Sequence, residues 1–301
     1  MDTVQLLIDV LGPVVVIVAI GGIVAPRLGL DTASLSKLSY WILGPAFVFN
    51  IFSTTTLEAE TAIKLVAAGT ATVVAAAVVA TALAPVFGVR GTAMSATVMS
   101  SAYGNVGNAG LAISVFALGE NALDRAGVLM VTIMFFGTLL SVWLGTRQTQ
   151  SGSRAALEAL VSPMIAAAIV GFGFNIVNTD TPVLIDRAVS TIAQGLIPVM
   201  LLTLGLQLAT TGRPRLLRST SVVTIAKLVV APVVGWAMAE AFGLTGDDRG
   251  VIILQAAMPP AVFCMVLALE HDLEAERTTN DVVMVTIASL LTLPIALTLV
   301  T

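Results

Sequence analysis

Apolar runs dominate the chain. Ten stretches, near 4–25, 35–54, 62–87, 93–118, 123–145, 157–178, 185–209, 216–242, 249–269 and 279–300, are long and predominantly apolar. A helix needs about 20 such residues to cross a bilayer, because it rises ~1.5 Å per residue and must satisfy its own backbone groups in hydrocarbon. The pattern predicts an all-α polytopic membrane protein of ten transmembrane helices joined by short connections. No room is left for a separate soluble domain. The first run has Asp2 and Asp9 at its flank instead of basic residues and exceeds a signal h-region in length, so it is expected to persist as a mature helix.

Composition agrees with this pattern and narrows the function classes. Hydrophobic side chains make up 57% of the residues and charged ones 11%, too few to clothe a water-soluble surface. Mean hydropathy is +1.00. A net charge of −4 offers nucleic acid no basic footprint. The single Cys (Cys264) excludes an intrachain disulfide, and with the single His (His271) it leaves no basis for a metal site or a cofactor. Arg27, Lys37, Arg90, Arg147, Arg154, Arg213, Arg215, Arg218 and Arg277 fall in connections that follow odd-numbered spans, against Lys64, Arg125, Arg187 and Arg249 in the others. Positive-inside bias then puts the odd connections in the cytoplasm and both termini outside a cell membrane.

The halves resemble each other at an offset of about 150–155 residues. Pro13 falls opposite Pro163 and Pro45 opposite Pro198; Phe87-Gly88 matches Phe242-Gly243; Ser114–Leu118 pairs with Met265–Leu269; Met130-Val-Thr-Ile recurs as Met284-Val-Thr-Ile. Residues 1–150 and 151–301 are therefore expected to be two five-helix repeats. Five is odd, so the second lies inverted in the membrane, as in secondary transporters that hold substrate where broken helices of the two halves meet.

Two spans carry such breaks. The fourth contains Gly104-Asn105-Val106-Gly107-Asn108-Ala109-Gly110, poor helix material because Gly and Asn both favour other conformations. The ninth contains Gln255-Ala256-Ala257-Met258-Pro259-Pro260, where consecutive prolines remove backbone donors. The half-helix after each break presents free N–H groups and a positive dipole end, and Asn105 and Asn108 add amide donors. That chemistry suits a small carboxylate. Close helix packing is the competing explanation for the same small and polar residues.

At these residues the chain resembles the auxin efflux carrier family, prokaryotic type. The matching stretches are Asn105-Val-Gly-Asn-Ala-Gly110, Gln255-Ala-Ala-Met-Pro259 and Leu291-Thr-Leu-Pro-Ile295, with Pro45 and Leu228 to Pro232. The resemblance covers nearly the whole chain. It implies crossed broken spans four and nine, a scaffold of spans one, two, six and seven, a moving unit of spans three to five and eight to ten, and a homodimer with elevator-like transport. Ala112 stands where many members have Pro, and the central loop is short.

Charges inside the spans are few. Lys227 in span eight is expected either to counter a carboxylate or to snorkel to the interface, the structural role being favoured. Asp9, Glu240 and Asp281 are candidates for a coupling proton but sit near predicted membrane edges, where solvation is expected. Asn50 and Gln207 occupy related places in spans two and seven, facing the crossing or bonding neighbouring helices. His271 is expected to be solvated and Cys264 to fill apolar space. The candidate substrate site is Gly104, Asn105, Gly107, Asn108, Gln255, Pro259, Pro260 and Asn50, with Lys227 and Asp9 as charge or coupling groups. The expected function is secondary transport of small organic anions by alternating access, with lipid and a second copy as partners. A sodium-coupled symporter like the bile-acid carriers is the alternative. An intramembrane enzyme lacks its paired Asp, its Ser-His pair and its metal motif, while a passive channel would differ in showing no saturable flux.

Overall fold

Apolar runs become helices where the chain supplies a start and a stop. The computed structural model describes residues 3–146, 162–177, 181–210, 214–270 and 273–300. Arg147, Arg154, Arg213 and His271, used above, lie outside the described residues. In order, the helices are α1 (Thr3–Val24), α2 (Thr32–Leu38), α3 (Gly44–Thr54), α4 (Ala59–Val86), α5 (Thr92–Ala102), α6 (Leu111–Leu118) and α7 (Leu123–Thr146). The second half continues with α8 (Pro163–Ile176), α9 (Val183–Gln194), α10 (Leu196–Thr210), α11 (Arg218–Thr224), α12 (Ala231–Ala241), α13 (Gly246–Ala256), α14 (Phe263–Glu270) and α15 (Ala275–Val300). Among the described residues no β-strand forms.

Local chemistry explains the boundaries. Asp31 caps α2 by accepting from the Ser34 N–H at 2.8 Å, and Ser162 caps α8 through Ile165 with Pro163 in the first turn. Both Phe-Gly pairs end their helices in the same way. Gly88 and Gly243 take positive φ (73° and 65°), and the next residue reaches back five positions, Val89 N–H to Ala84 carbonyl at 2.8 Å and Leu244 N–H to Ala239 carbonyl at 2.9 Å. A residue with a Cβ is strained there, so glycine ends each helix. Pro45 and Pro232 act differently. Each lacks an N–H inside a long helix, and the turns before them, Ser39–Leu43 and Ile225–Val230, widen to π-helical geometry. In this way α2 runs into α3, and α11 into α12, without a stop.

Among the described residues, seven helical stretches are long and apolar enough to cross a membrane: Ile8–Leu28, Thr32–Thr54, Ala59–Val86, Glu120–Gly145, Val183–Thr210, Arg218–Ala241 and Ala275–Val300. Three of the ten expected spans are not of this kind. Pro163–Ile176 is short, and the stretches 92–118 and 246–270 are broken in the middle. Large apolar side chains such as Val16, Trp41, Val78, Ile169 and Leu291 point outward, an arrangement stable in lipid and costly in water.

Helix pairing places the breaks inside. α1 packs along α10 and α3 along α8. The first contact depends on glycine, because a methyl on Gly205 would overlap the Val18 carbonyl and one on Gly21 the Leu202 backbone. α4 packs on α5, α7 and α12; α13 packs on α12 and α15. Both broken stretches are therefore enclosed by continuous helices, and residues 98–114 and 250–262 are buried almost throughout.

Candidate site at the crossing of two broken helices

α5 stops at Ala102, and the chain runs extended through Tyr103 before a π-helical turn, Val106–Gly110, leads into α6. α13 stops at Ala256, and the chain runs through Pro259 and Pro260 before α14. The two extended pieces pair. Gly104 and Pro260 form an isolated antiparallel bridge, flanked by the Asn105 N–H donating to the Pro259 carbonyl at 2.7 Å and the Ala261 N–H donating to the Tyr103 carbonyl at 2.8 Å. In this register neither Gly104 nor Pro260 uses its own N–H, so proline fits at 260 without an unmade bond. Each break supplies the partners that the other lacks, in surroundings where an unsatisfied backbone group costs several kcal/mol.

A small cleft of about 60 Å³ opens against this crossing. Its floor is Gly104, Asn105, Val106, Gly107 and Asn108; Ala261, Val262 and Phe263 close one side, and Tyr40, Met134, Met164, Met200 and Thr203 the rest. Asn105 is 3% exposed, and its Nδ2 has no hydrogen-bond acceptor among the described residues. A buried, unpaired amide donor on a residue that lines a cleft is a costly arrangement unless a ligand or water satisfies it. Gly107 lies against the Met200 terminal methyl, so its lack of a side chain keeps the cleft open. Tyr40 stacks on Phe263 with ring centroids 5.4 Å apart and planes 12° apart. Both rings also line a second, larger space of about 300 Å³ bounded by Lys37, Trp41 and Thr138, so the stacked pair stands between the two spaces.

The expected site residues divide into two groups. Gly104, Asn105, Gly107 and Asn108 line the cleft, and Pro259 and Pro260 shape its backbone. Gln255, Asn50 and Asp9 do not line it. Gln255 is fully buried between helices, its Nε2 3.4 Å from Ser114 Oγ and its Oε1 against Gly110. Asn50 lies partly buried on α3, and Asp9 on an exposed face of α1, where Gln5 donates to it at 3.0 Å. Gln207 is buried and contacts the Met265 sulfur on α14.

Two expectations about charges are corrected. Asp281 is not solvated: it is 1% exposed, with its Oδ1 accepting from Thr220 at 2.5 Å and Ser219 at 3.1 Å, because α11 and α5 cover the start of α15. Lys227 does not snorkel. At 2% exposure its ammonium lies inside the bundle. Glu240 does sit at a surface, paired with Arg249 at 3.1 Å, and Cys264 is fully buried. Sequence reasoning missed Tyr40, Phe263, Thr203 and the three methionines. Thr203, one turn before Gln207, was the one with a readable signal, a polar residue at helical spacing in an apolar span.

This crossing lies in the C-terminal half as much as in the N-terminal one, and a family model for membrane transport proteins matches residues 146–297. The chain belongs to that family, the auxin efflux carriers. As a member with seven continuous apolar helices among the described residues, it is a multi-pass membrane transporter. It is 22% identical over 216 residues to an uncharacterized transporter of Methanocaldococcus jannaschii, covering 68% of each chain. Identity to an uncharacterized transporter of Methanothermobacter thermautotrophicus is 25% over 197 residues, covering 65% of each. A protein of Rhizobium meliloti named "Putative malonate transporter" is 25% identical over 271 residues, covering 86% of this chain and 83% of its own.

Proposed function

We propose that this membrane transporter is a secondary carrier of small organic anions, binding a carboxylate at the crossing and moving it by alternating access. One observation carries the reading: Asn105, whose buried amide nitrogen has no partner among the described residues, lines a cleft floored by the start of the Val106–Leu118 half-helix. A helix start favours an anion by a few tenths to about 2 kcal/mol, and a neutral amide adds a donor without the desolvation cost of a full charge. The name of the Rhizobium relative makes malonate the first compound to try.

The same proposal includes ten crossings in two inverted repeats, 1–150 and 151–301. Three features support it: the matched Phe-Gly helix ends, the exchange-related pairings α1 with α10 and α8 with α3, and the crossing of equivalent breaks. In this reading α1, α3, α8 and α10 belong to a static scaffold, through which two copies associate, and the crossed helices move against it like an elevator.

Labelled malonate uptake by the full chain in proteoliposomes tests the site. Asn105→Ala and Asn108→Ala should each lower uptake at least tenfold, about 1.4 kcal/mol of lost interaction. Uptake that survives in the double variant would remove these residues from the mechanism.

A further inference from the structure

Lys227 has no assigned task in the reading above. It lies in the widened turn Ile225–Val230, where the backbone already departs from regular helix on account of Pro232. Its Nζ reaches the crossing: a methyl group built on Gly104 would stand 2.7 Å from it. Gly104 is also part of the cleft floor, so the amine and the cleft touch the same residue.

The surroundings hold little countercharge. Among the described residues no carboxylate forms an ion pair with Lys227. On α4 the charged groups are Glu60 and Lys64, near its start and paired with each other at 2.7 Å. α5 carries none. α14 presents the Cys264 thiol, and on α15 Asp281 has its Oδ1 bonded by Ser219 and Thr220, about two helical turns before Lys227 on the chain, and forms no ion pair with it. The negative dipole end of α5, which stops at Ala102, is what the fold offers an empty site. A buried ammonium with so little compensation is costly, and a neutral amine is not.

We propose that Lys227 is the protonation site that couples carboxylate movement to a proton. This rests on the transport reading above and deepens it. A carboxylate entering the cleft supplies the missing charge, so the amine takes a proton as the anion binds and releases it when the anion leaves. One proton then crosses with each substrate molecule, and a monocarboxylate moves without net charge.

The test uses the full chain in proteoliposomes with radiolabelled malonate and the membrane potential clamped to zero. Exchange at equal pH examines the transport reading alone; if the wild-type chain shows none, that reading fails and this proposal fails with it. Given exchange, vesicles one pH unit alkaline inside should accumulate malonate about tenfold, since one proton contributes its own concentration ratio. In Lys227→Met the steady-state ratio should fall to one, whatever the rate. A wild-type ratio of one, or a tenfold ratio kept by Lys227→Met, overturns the proposal. Should that variant fail to fold, Lys227→Arg carries the same expectation, because a guanidinium does not give up its proton. Wild-type protein provides an independent check: malonate binding at alkaline pH, followed by calorimetry in buffers of different ionisation heat, should be accompanied by net proton uptake that is absent in Lys227→Arg. Zero uptake overturns the proposal as well.

Discussion

Gly205 and Gly173 separate two uses of one residue type. Gly205 lies where α10 meets α1 so closely that a methyl group would overlap the Val18 carbonyl and come within 2.7 Å of the Gly22 nitrogen, both backbone atoms that cannot turn aside. Gly173, on α8, has open space where its side chain would stand. Gly205→Ala should therefore destabilise by about 1–3 kcal/mol, and Gly173→Ala should be neutral or stabilise by up to about 1 kcal/mol. Thermal unfolding of the two variants in detergent measures the contrast, and equal midpoints would contradict the packing account. Residue-level chemistry was also the most legible part of the sequence. Gly104, Asn105, Pro259 and Pro260 break their helices through their own backbone preferences, whatever surrounds them. Tyr40, Met164 and Met200 owe their place at the cleft to helix packing, which no local preference encodes. Gln255 shows the same limit from the other side, since a helix buried all round carries no stripe to tell which of its faces meets the cleft.

At the scale of elements, the starts of helices in one half are tied to helix starts in the other. Arg125 on α7 pairs with Asp248 on α13. Glu274, just before α15, accepts from Thr92 on α5 at 3.0 Å and from Arg277 at 2.8 Å. These are related positions if the halves are repeats, so each break is anchored by the opposite half at its outer end too. The Arg277 hydrogen bond, helped by Thr92, holds the Glu274 carboxyl below the ordinary carboxylate range. A lowered folded-state pKa contributes stability above the unfolded value, and that contribution is lost as pH falls through the lowered one. Because the side chains are about one-third exposed, the tie contributes no more than about 1 kcal/mol. Unfolding midpoints measured between neutral and strongly acidic pH should fall more steeply in the wild type than in Glu274→Gln. Parallel curves would detach Glu274 from this joint. Asp281, about two turns further along, was misread because its distance from the helix start suggested a wet environment. Depth along one helix says nothing of what neighbouring helices cover.

For the whole molecule, the decisive question is which loops share a side of the membrane. The expectation from the basic residues is that Lys37 and Glu276 face the cytoplasm and Glu60 and Asp186 the outside, and all four are exposed. Single cysteines at these positions, reacted in intact cells with a membrane-impermeant maleimide, should label from outside at 60 and 186 only. Native Cys264 is buried and contributes little background. Labelling of positions 37 and 60 from the same face would defeat the ten-span arrangement, because the widened turn Ser39–Leu43 and α3 lie between them. Seven of the ten expected spans were legible as continuous membrane-length helices, because apolar length is a property of the chain alone. That three of the ten stretches fall short of a continuous crossing was partly legible, in Gly104–Gly110 and Pro259-Pro260, and not at all in the brevity of α8.

The paired breaks also bear on how the chain is made. Tyr103 and Asn105 leave the ribosome about 155 residues ahead of Pro259 and Ala261, which they bond. At synthesis rates of roughly 5–20 residues per second, that interval lasts about 8–30 s. Throughout it the first break has a bare carbonyl and a bare amide that lipid cannot satisfy. The nascent first half must be sheltered by water or by the insertion machinery until the second half arrives, so neither half is expected to settle in a bilayer when made alone.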